Sequence, residues 1–250
     1  MRNQVNEVTV GIGGTYNFAG YEWLVLEVQE GKALLLSKYV LREREYHAFE
    51  SVTWETSDMR NYLNNEFYDS FAEPDKARIA ETKVINNNNP WFGTEGGNDT
   101  TDKIFLLSLE EVVKYFGDSG QLANLSYPDK WGFSDRYDEA RATTNIRGQI
   151  SSWWLRSPGH YPLPGRYSYG TKNVAIWFNG KVHVYGDDVD RWLGGARPAL
   201  WININNYDIT SNTHMCNDNC GYRLELNLGM KNAITPVFNE LEEWILKEAS

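Results

Sequence analysis

Trp153-Trp154-Leu155-Arg156-Ser157-Pro158-Gly159 is answered further along the chain by Ala196-Arg197-Pro198-Ala199-Leu200-Trp201-Ile202. On an extended segment neighbouring side chains point to opposite faces, so one indole of the Trp153, Trp154 pair anchors a core while the other covers a second surface. Both segments then set an arginine beside or near a proline. Proline cannot donate to a strand ladder, and regular pairing therefore gives way to irregular backbone there. Irregular backbone leaves carbonyls in need of donors, and a guanidinium offers five. Arg156 and Arg197 read as pins for loop carbonyls or carboxylates, with direct ligand contact as the alternative. Trp153, Trp154, Arg156, Arg197 and Trp201 are the expected structural anchors.

Around these segments the composition is that of a folded chain. Of 250 residues, 41% are hydrophobic and 14% aromatic, with ten Trp and fifteen Tyr, unlike the aromatic-poor profile of disorder. The formal charge of −10 and the lack of any basic run argue against a nucleic-acid partner, which would need clustered Lys and Arg. No apolar run approaches the roughly 18 residues of a membrane span, so the chain reads as soluble. The first residues lack the apolar stretch of a secretory signal, which points to a cytoplasmic or virion-associated protein unless a leader has been removed. Cys216 and Cys220 are too few for a disulfide framework.

Upstream, Tyr21 to Val28 and Ala33 to Ser37 predict two strands joined through Gly31. Met59, Tyr62, Leu63 and Phe67 share one face of a helix starting near Ser57, with Arg60, Asn61, Asn64 and Asn65 on the other. Pro74 suits the first position of a short helix running to Ile79. Residues 86 to 102 carry turn formers without period and predict a long surface loop tacked down by Trp91 and Phe92. Ile104 to Leu107 reads as a short buried strand, and Ser108-Leu109-Glu110-Glu111 as a capping box opening a helix that packs Val112, Val113, Tyr115 and Phe116 inward. Asn173 to Tyr185 alternates about Asn179-Gly180 and predicts a hairpin with a type I′ turn. Residues 206 to 250, with a helix from Thr235-Pro236, read as a docked extension to a domain spanning 1 to 205.

Taken in order, Tyr21 to Leu26, Leu34 to Ser37, Thr53 to Asn64, Asp102 to Ser108, Trp153 to Gly159, Asn179-Gly180 and Ala196 to Ile202 resemble an uncharacterised bacterial domain family whose signature reads WWLRSPG followed by VRPALWI. The resemblance covers roughly residues 14 to 205. It implies an α+β domain of the C-type-lectin-like fold, in its formylglycine-generating-enzyme branch, with short antiparallel strands, helices and long loops. Related domains serve as the variable, ligand-binding proteins of diversity-generating retroelements. Fold alone does not assign function, so the site is read separately.

The formylglycine-generating chemistry needs a reactive cysteine pair before the closing Gly-Phe-Arg strand. Here Cys216 and Cys220 follow Arg197, with three residues between them rather than four, in an Asn- and Asp-rich loop that supplies no positive charge to activate a thiolate. His214, Cys216 and Cys220 would give zinc three ligands and no evident fourth. Asp187, Asp188 and Asp190 are candidate calcium ligands, without the spacing of an EF-hand; a solvated acidic turn is the plainer reading.

Between the two anchor segments lie His160, Tyr161, Arg166, Tyr167, Tyr169, Asn173, Trp177, Asn179, His183, Tyr185, Arg191 and Trp192. Aromatic rings, amides and guanidinium groups are the vocabulary of adaptable binding surfaces. Strand alternation sends part of this set into the core, Trp177 above all. The expectation is a non-enzymatic protein displaying these loops to a protein or glycan ligand, with no cofactor unless calcium. A virion or tail component and a formylglycine-generating-type enzyme are the alternatives.

Overall fold

The computed structural model describes residues 12–48, 52–124, 131–161, 172–190 and 194–204. The chain opens with a meander of β1 (Thr15–Phe18), β2 (Tyr21–Gln29) and β3 (Lys32–Ser37). Both connecting turns hold their central residues at positive φ, Ala19 and Gly20 in the first, Glu30 and Gly31 in the second. This is the type I′ arrangement, whose twist matches that of the strands it joins. There follow β4 (Arg42–Glu43), α1 (Asp58–Tyr62), α2 (Glu73–Lys76), β5 (Ile79–Ala80), β6 (Thr82–Val84), β7 (Thr100–Asp102), α3 (Leu109–Phe116) and α4 (Asp138–Arg141). The remaining strands are β8 (Thr143–Thr144), β9 (Ile150–Ser151), β10 (Trp153–Pro158), β11 (Lys172–Ile176), β12 (Val182–Asp188), β13 (Gly195–Ala196) and β14 (Ala199–Asn203). The class is mixed α+β, richer in strand than in helix. No helix among the described residues is long and apolar enough to cross a membrane.

Two five-stranded sheets carry the architecture. The first runs β1-β2-β3-β14-β5 and is antiparallel throughout. In the second, β12-β11-β10-β13-β4, only the β10 and β13 pair is parallel. Pairs β6-β7 and β8-β9 form separate short ladders. β10 lies at the centre of the second sheet, and both tryptophans of its pair are fully buried. Trp153 Nε1 donates to the Arg141 carbonyl at 3.1 Å and Trp154 Nε1 to that of Arg44 at 3.0 Å, so neither indole is buried with an idle donor.

The two shortest passages between the sheets, from β3 to β4 and from β13 to β14, run side by side. Ser37 N–H donates to the Pro198 carbonyl at 2.8 Å and Leu41 N–H to that of Ala196 at 2.9 Å. Arg197 lies at this double corner, fully buried, with Nε 2.9 Å from the Ser37 carbonyl and its guanidinium 4.7 Å from the centre of the Trp153 ring. Burial pushes that guanidinium down to about 9, which leaves it charged at neutral pH. Arg156 makes a bidentate pair with Glu111 at 2.5 and 3.0 Å and donates to the carbonyls of Leu106 and Ile85. Both arginines therefore pin backbone, as their placement before proline suggested. Trp201 is only partly buried. Its neighbours Leu200 and Ile202 take the core side of β14, and the indole covers the other side.

Several expectations need correction. Ile104 to Leu107 is buried as read but is not a strand: it touches β14 through one isolated bridge, Phe105 to Ala199, and offers the Leu107 carbonyl to Arg156 N–H at 3.0 Å. The segment is a wedge bonded to both sheets. After α1 the helix continues as a π-helical turn, Leu63–Phe67, and α2 stops at Lys76 because Ile79 is taken into β5 against Ile202. The polar face of α1 does not simply meet water. Arg60 bonds the buried Asp102 at 2.7 Å, and Asn64 clamps Lys103 N–H and the Ile104 carbonyl. The Asn179-Gly180 hairpin forms without a type I′ turn: only Gly180 has positive φ, and Trp177 pairs with Lys181 across a three-residue loop. Its tip docks on α4, where Arg141 Nε reaches the Gly180 carbonyl at 3.0 Å. The capping box at Ser108 and Glu111 forms as read, but Val113 and Tyr115 are only half-buried. The extension of residues 206 to 250 lies outside the described residues.

Replacing Trp153 or Trp154 by Ala removes a buried indole and is expected to cost about 3–5 kcal/mol. Thermal melting checks this. Two variants that melt with the wild type would remove the pair from the centre of the fold.

Candidate functional site

The second sheet is interrupted at one place, and the interruption builds a surface. The ladder of β11 loses register against β10 between Trp154 and Pro158, and against β12 between Asn173 and Ala175. Such bulges re-aim side chains and leave carbonyls unpaired. Asn89 fills the gap from the loop between β6 and β7, which ends at residue 99 rather than at 102 as expected because Thr100–Asp102 pairs with β6. Its side chain is 1% exposed, and Nδ2 donates to the Pro158 carbonyl at 2.8 Å and the Val184 carbonyl at 3.0 Å. Asn173 serves a parallel purpose, with Nδ2 2.5 Å from the Leu155 carbonyl. Asn89 Oδ1 accepts from the N–H groups of Trp91 and Phe92, which delivers both rings to the sheet.

On β12 the period-two alternation divides the residues cleanly. Val182 and Val184 are fully buried in the core. His183 and Tyr185 take the opposite face and meet rings from four other segments. Trp131 stands 4.4 Å from Tyr185 and stacks on His183 at 6.2 Å, and Trp177 lies 4.4 Å from His183. His160 stacks on Tyr185 at 4.7 Å with planes 9° apart, and Phe92 closes the row edge-on to both. Two glycines allow this approach. The Val182 carbonyl occupies the space a Cβ on Gly132 would need, and the Tyr185 carbonyl does the same at Gly159. The adjoining Tyr185 N–H bonds the Trp131 carbonyl at 2.9 Å, and His160 N–H bonds the Tyr185 carbonyl at 2.7 Å.

The row therefore runs Trp177, His183, Trp131, Tyr185, His160, Phe92. Trp131 is 55% exposed and Tyr161, beside His160, is 49% exposed. Of the residues expected to meet a ligand, His160, His183 and Tyr185 lie together in this row, and Tyr161 is exposed next to His160 in the chain. His183 and Asn173 were expected to meet a ligand, but at 3% exposure each they are interior supports. Asn179 is exposed at the hairpin tip, with Oδ1 accepting from Lys181 N–H at 3.2 Å. Trp131, Phe92 and Asn89 were missed as site residues, because nothing in their local pattern announces which strand they will reach. Arg166, Tyr167, Tyr169, Arg191 and Trp192 lie outside the described residues, as do His214, Cys216 and Cys220.

Adjacent acids on a strand point apart, and the aspartates behave so. Asp187 accepts from Trp177 Nε1 at 3.0 Å and lies 3.3 Å from His183 Nδ1, whereas Asp188 pairs with Lys172 at 2.5 Å. Burial pushes the Asp187 carboxyl up, but the contacts with His183 and Trp177 outweigh it and hold its pKa below the ordinary 3.8. Asp187, Asp188 and Asp190 do not converge, and no three His, Cys, Asp or Glu among the described residues gather as metal donors.

A family described as Domain of unknown function (DUF6273) matches residues 30–204, from the turn between β2 and β3 to the end of β14. The chain belongs to this family. No curated protein and no solved structure matches it. The DUF6273 match contains the second sheet, the Asn89 loop and every ring of the aromatic row.

Asn89→Ala would leave two buried carbonyls without donors and is expected to cost about 1–3 kcal/mol in a denaturant titration. Burial, then the charge of Lys172, holds His160 below its ordinary pKa of 6.5. The unfolded chain takes up this proton first, so stability should fall as pH drops through about 6.5 and level off below the folded pKa. His160→Gln should lack that component when melting temperatures are compared between about pH 7.5 and 5.

Proposed function

We propose that this DUF6273 domain is a non-enzymatic recognition module that binds a protein or glycan ligand across the aromatic row of β12. The observation that carries this is Trp131, an indole left 55% exposed on top of rings that are themselves fixed. A single exposed apolar side chain is ordinary, but this indole crowns a cluster of packed rings, and an interface anchor is most often Trp, Tyr or Arg. The rings beneath it are positioned by the Asn89 loop, the close approaches at Gly132 and Gly159, and the Asp187 contacts. Little conformational freedom remains to be lost on binding, which favours affinity. Flat apolar faces beside the charged Lys172 and Asp188 suit a sugar ring, or an apolar side chain framed by polar groups.

The scaffold under this proposal is of the C-type-lectin-like type. Its support is the motif series from Tyr21 to Ile202, together with the return of β14 to pair with β3, which seats the closing strand beside an opening one. A variable protein of a diversity-generating retroelement is the finer form of the same reading, supported by the Tyr, Trp and Asn content between His160 and Trp192.

Trp131→Ala should leave melting nearly unchanged and weaken the ligand found on a glycan array or in a pulldown by at least about tenfold, or 1.4 kcal/mol. A variant that binds every such ligand as tightly as the wild type does would overturn the proposal.

A further inference from the structure

Arg60, Arg78, Arg136, Arg141, Arg156 and Arg197 each donate a side-chain hydrogen bond to another residue. Arg42, Arg44 and Arg147 form no ion pair or side-chain hydrogen bond with a described residue, and all three line one groove of about 500 Å³. The same groove holds three carboxylates. Glu43 is taken by Asn145 Nδ2 at 2.8 Å, but Glu45 and Glu66 have no partner among the described residues. Opposite charges thus share one hollow without closing on each other. Arg44 is laid over the Tyr62 ring at 4.2 Å, and its Nε is shut away from solvent with no acceptor. A second hollow of about 210 Å³ shares Arg44, Glu45, Tyr62 and Glu66 and adds Asp58, so an acidic end continues away from Arg42 and Arg147.

We infer that this groove binds a short peptide by its two charged ends, the arginines taking the carboxylate and Glu45 with Glu66 taking the ammonium. A guanidinium fork matches a carboxylate in shape and charge. A phosphate dianion would meet Glu45 and Glu66 as well as the arginines, and juxtaposed like charges are costly. A ligand carrying one charge of each sign answers both sets. Between them the Tyr62 ring offers a flat surface, and Ile146, 64% exposed on the wall, offers apolar contact to a side chain. Burial holds the Tyr62 hydroxyl above its ordinary 10, against the pull of Arg42, so it stays a neutral donor. The wall is fixed in advance: Val40 N–H bonds the Thr144 carbonyl at 3.0 Å and Ile146 N–H the Val40 carbonyl at 3.3 Å. The volume lies in the roughly 300–1,000 Å³ range of small-ligand sites. β4 and β12 stand at opposite ends of the strand order of the second sheet, so this site is separate from the aromatic row.

Calorimetric titration of the full chain with the tripeptide Ala-Leu-Ala at neutral pH tests this. Acetylating its N-terminus or amidating its C-terminus removes one charge, and each change should weaken binding by at least about tenfold. Rising salt should weaken the free tripeptide as well. Arg42→Gln with Arg44→Gln should bind the free tripeptide and its amide alike, and Glu45→Gln with Glu66→Gln should bind the free and acetylated forms alike, because each variant has lost the partner of the charge removed. The blocked peptides are compared on the unaltered protein, so the test stands even if a variant fails to fold. A free tripeptide that does not bind at millimolar concentration, blocked peptides that bind as tightly, or folded variants that discriminate as the wild type does would each overturn the inference.

Discussion

A guanidinium taken fully out of water must be surrounded by acceptors, and Arg197 finds them in the carbonyls of Ser37 and Lys38. Those carbonyls are available because two passages between sheets lie together there, and proline at position 198 keeps the second from continuing as a ladder. The dependence is mutual. Without the guanidinium the corner would hold unsatisfied carbonyls, and without the corner the charge would be buried alone. Trp153 lies under the same guanidinium, so the central strand of the second sheet is tied to the hinge between the sheets by one ring.

The same solution recurs wherever the backbone leaves regular structure. Arg156 serves the wedge of Ile104 to Leu107, Asn64 its entry, Arg141 the hairpin tip at Gly180, and Asn89 the gap in the second sheet. Each is a polar side chain whose donors replace a missing ladder partner. Short strands and irregular connections are tolerable in this fold because the interior carries its own donors.

This organisation separates support from display. Asn173, His183 and Asn89 lie inside and hold carbonyls or rings, while Trp131, Tyr161 and the hairpin tip face outward. A surface framed in this manner can change its outward residues with little effect on packing, since loops carry contacts and the scaffold carries stability.

By itself the sequence determined the local elements whose cause is local. The capping box at Ser108 and Glu111, the strands about Gly31, and the two-sided burial of Trp153 and Trp154 follow from side chains a few residues apart, where backbone preference and alternation suffice. It also marked Arg156 and Arg197 as pins, because an arginine near a proline is a local statement. Tertiary structure decided the rest. Arg60 and Asn64 look solvent-facing on a helical wheel and are clamps, since Asp102 and Ile104 arrive from far along the chain. Ile104 to Leu107 has strand composition and no strand partner, because both its neighbours are already paired in other sheets. The aromatic row joins Phe92, Trp131, His160, Trp177 and Tyr185 from separate segments, and no periodicity within one segment can say which ring another will meet. Contacts between distant parts of a chain depend on sheet order and register, which are fixed only when the whole core closes.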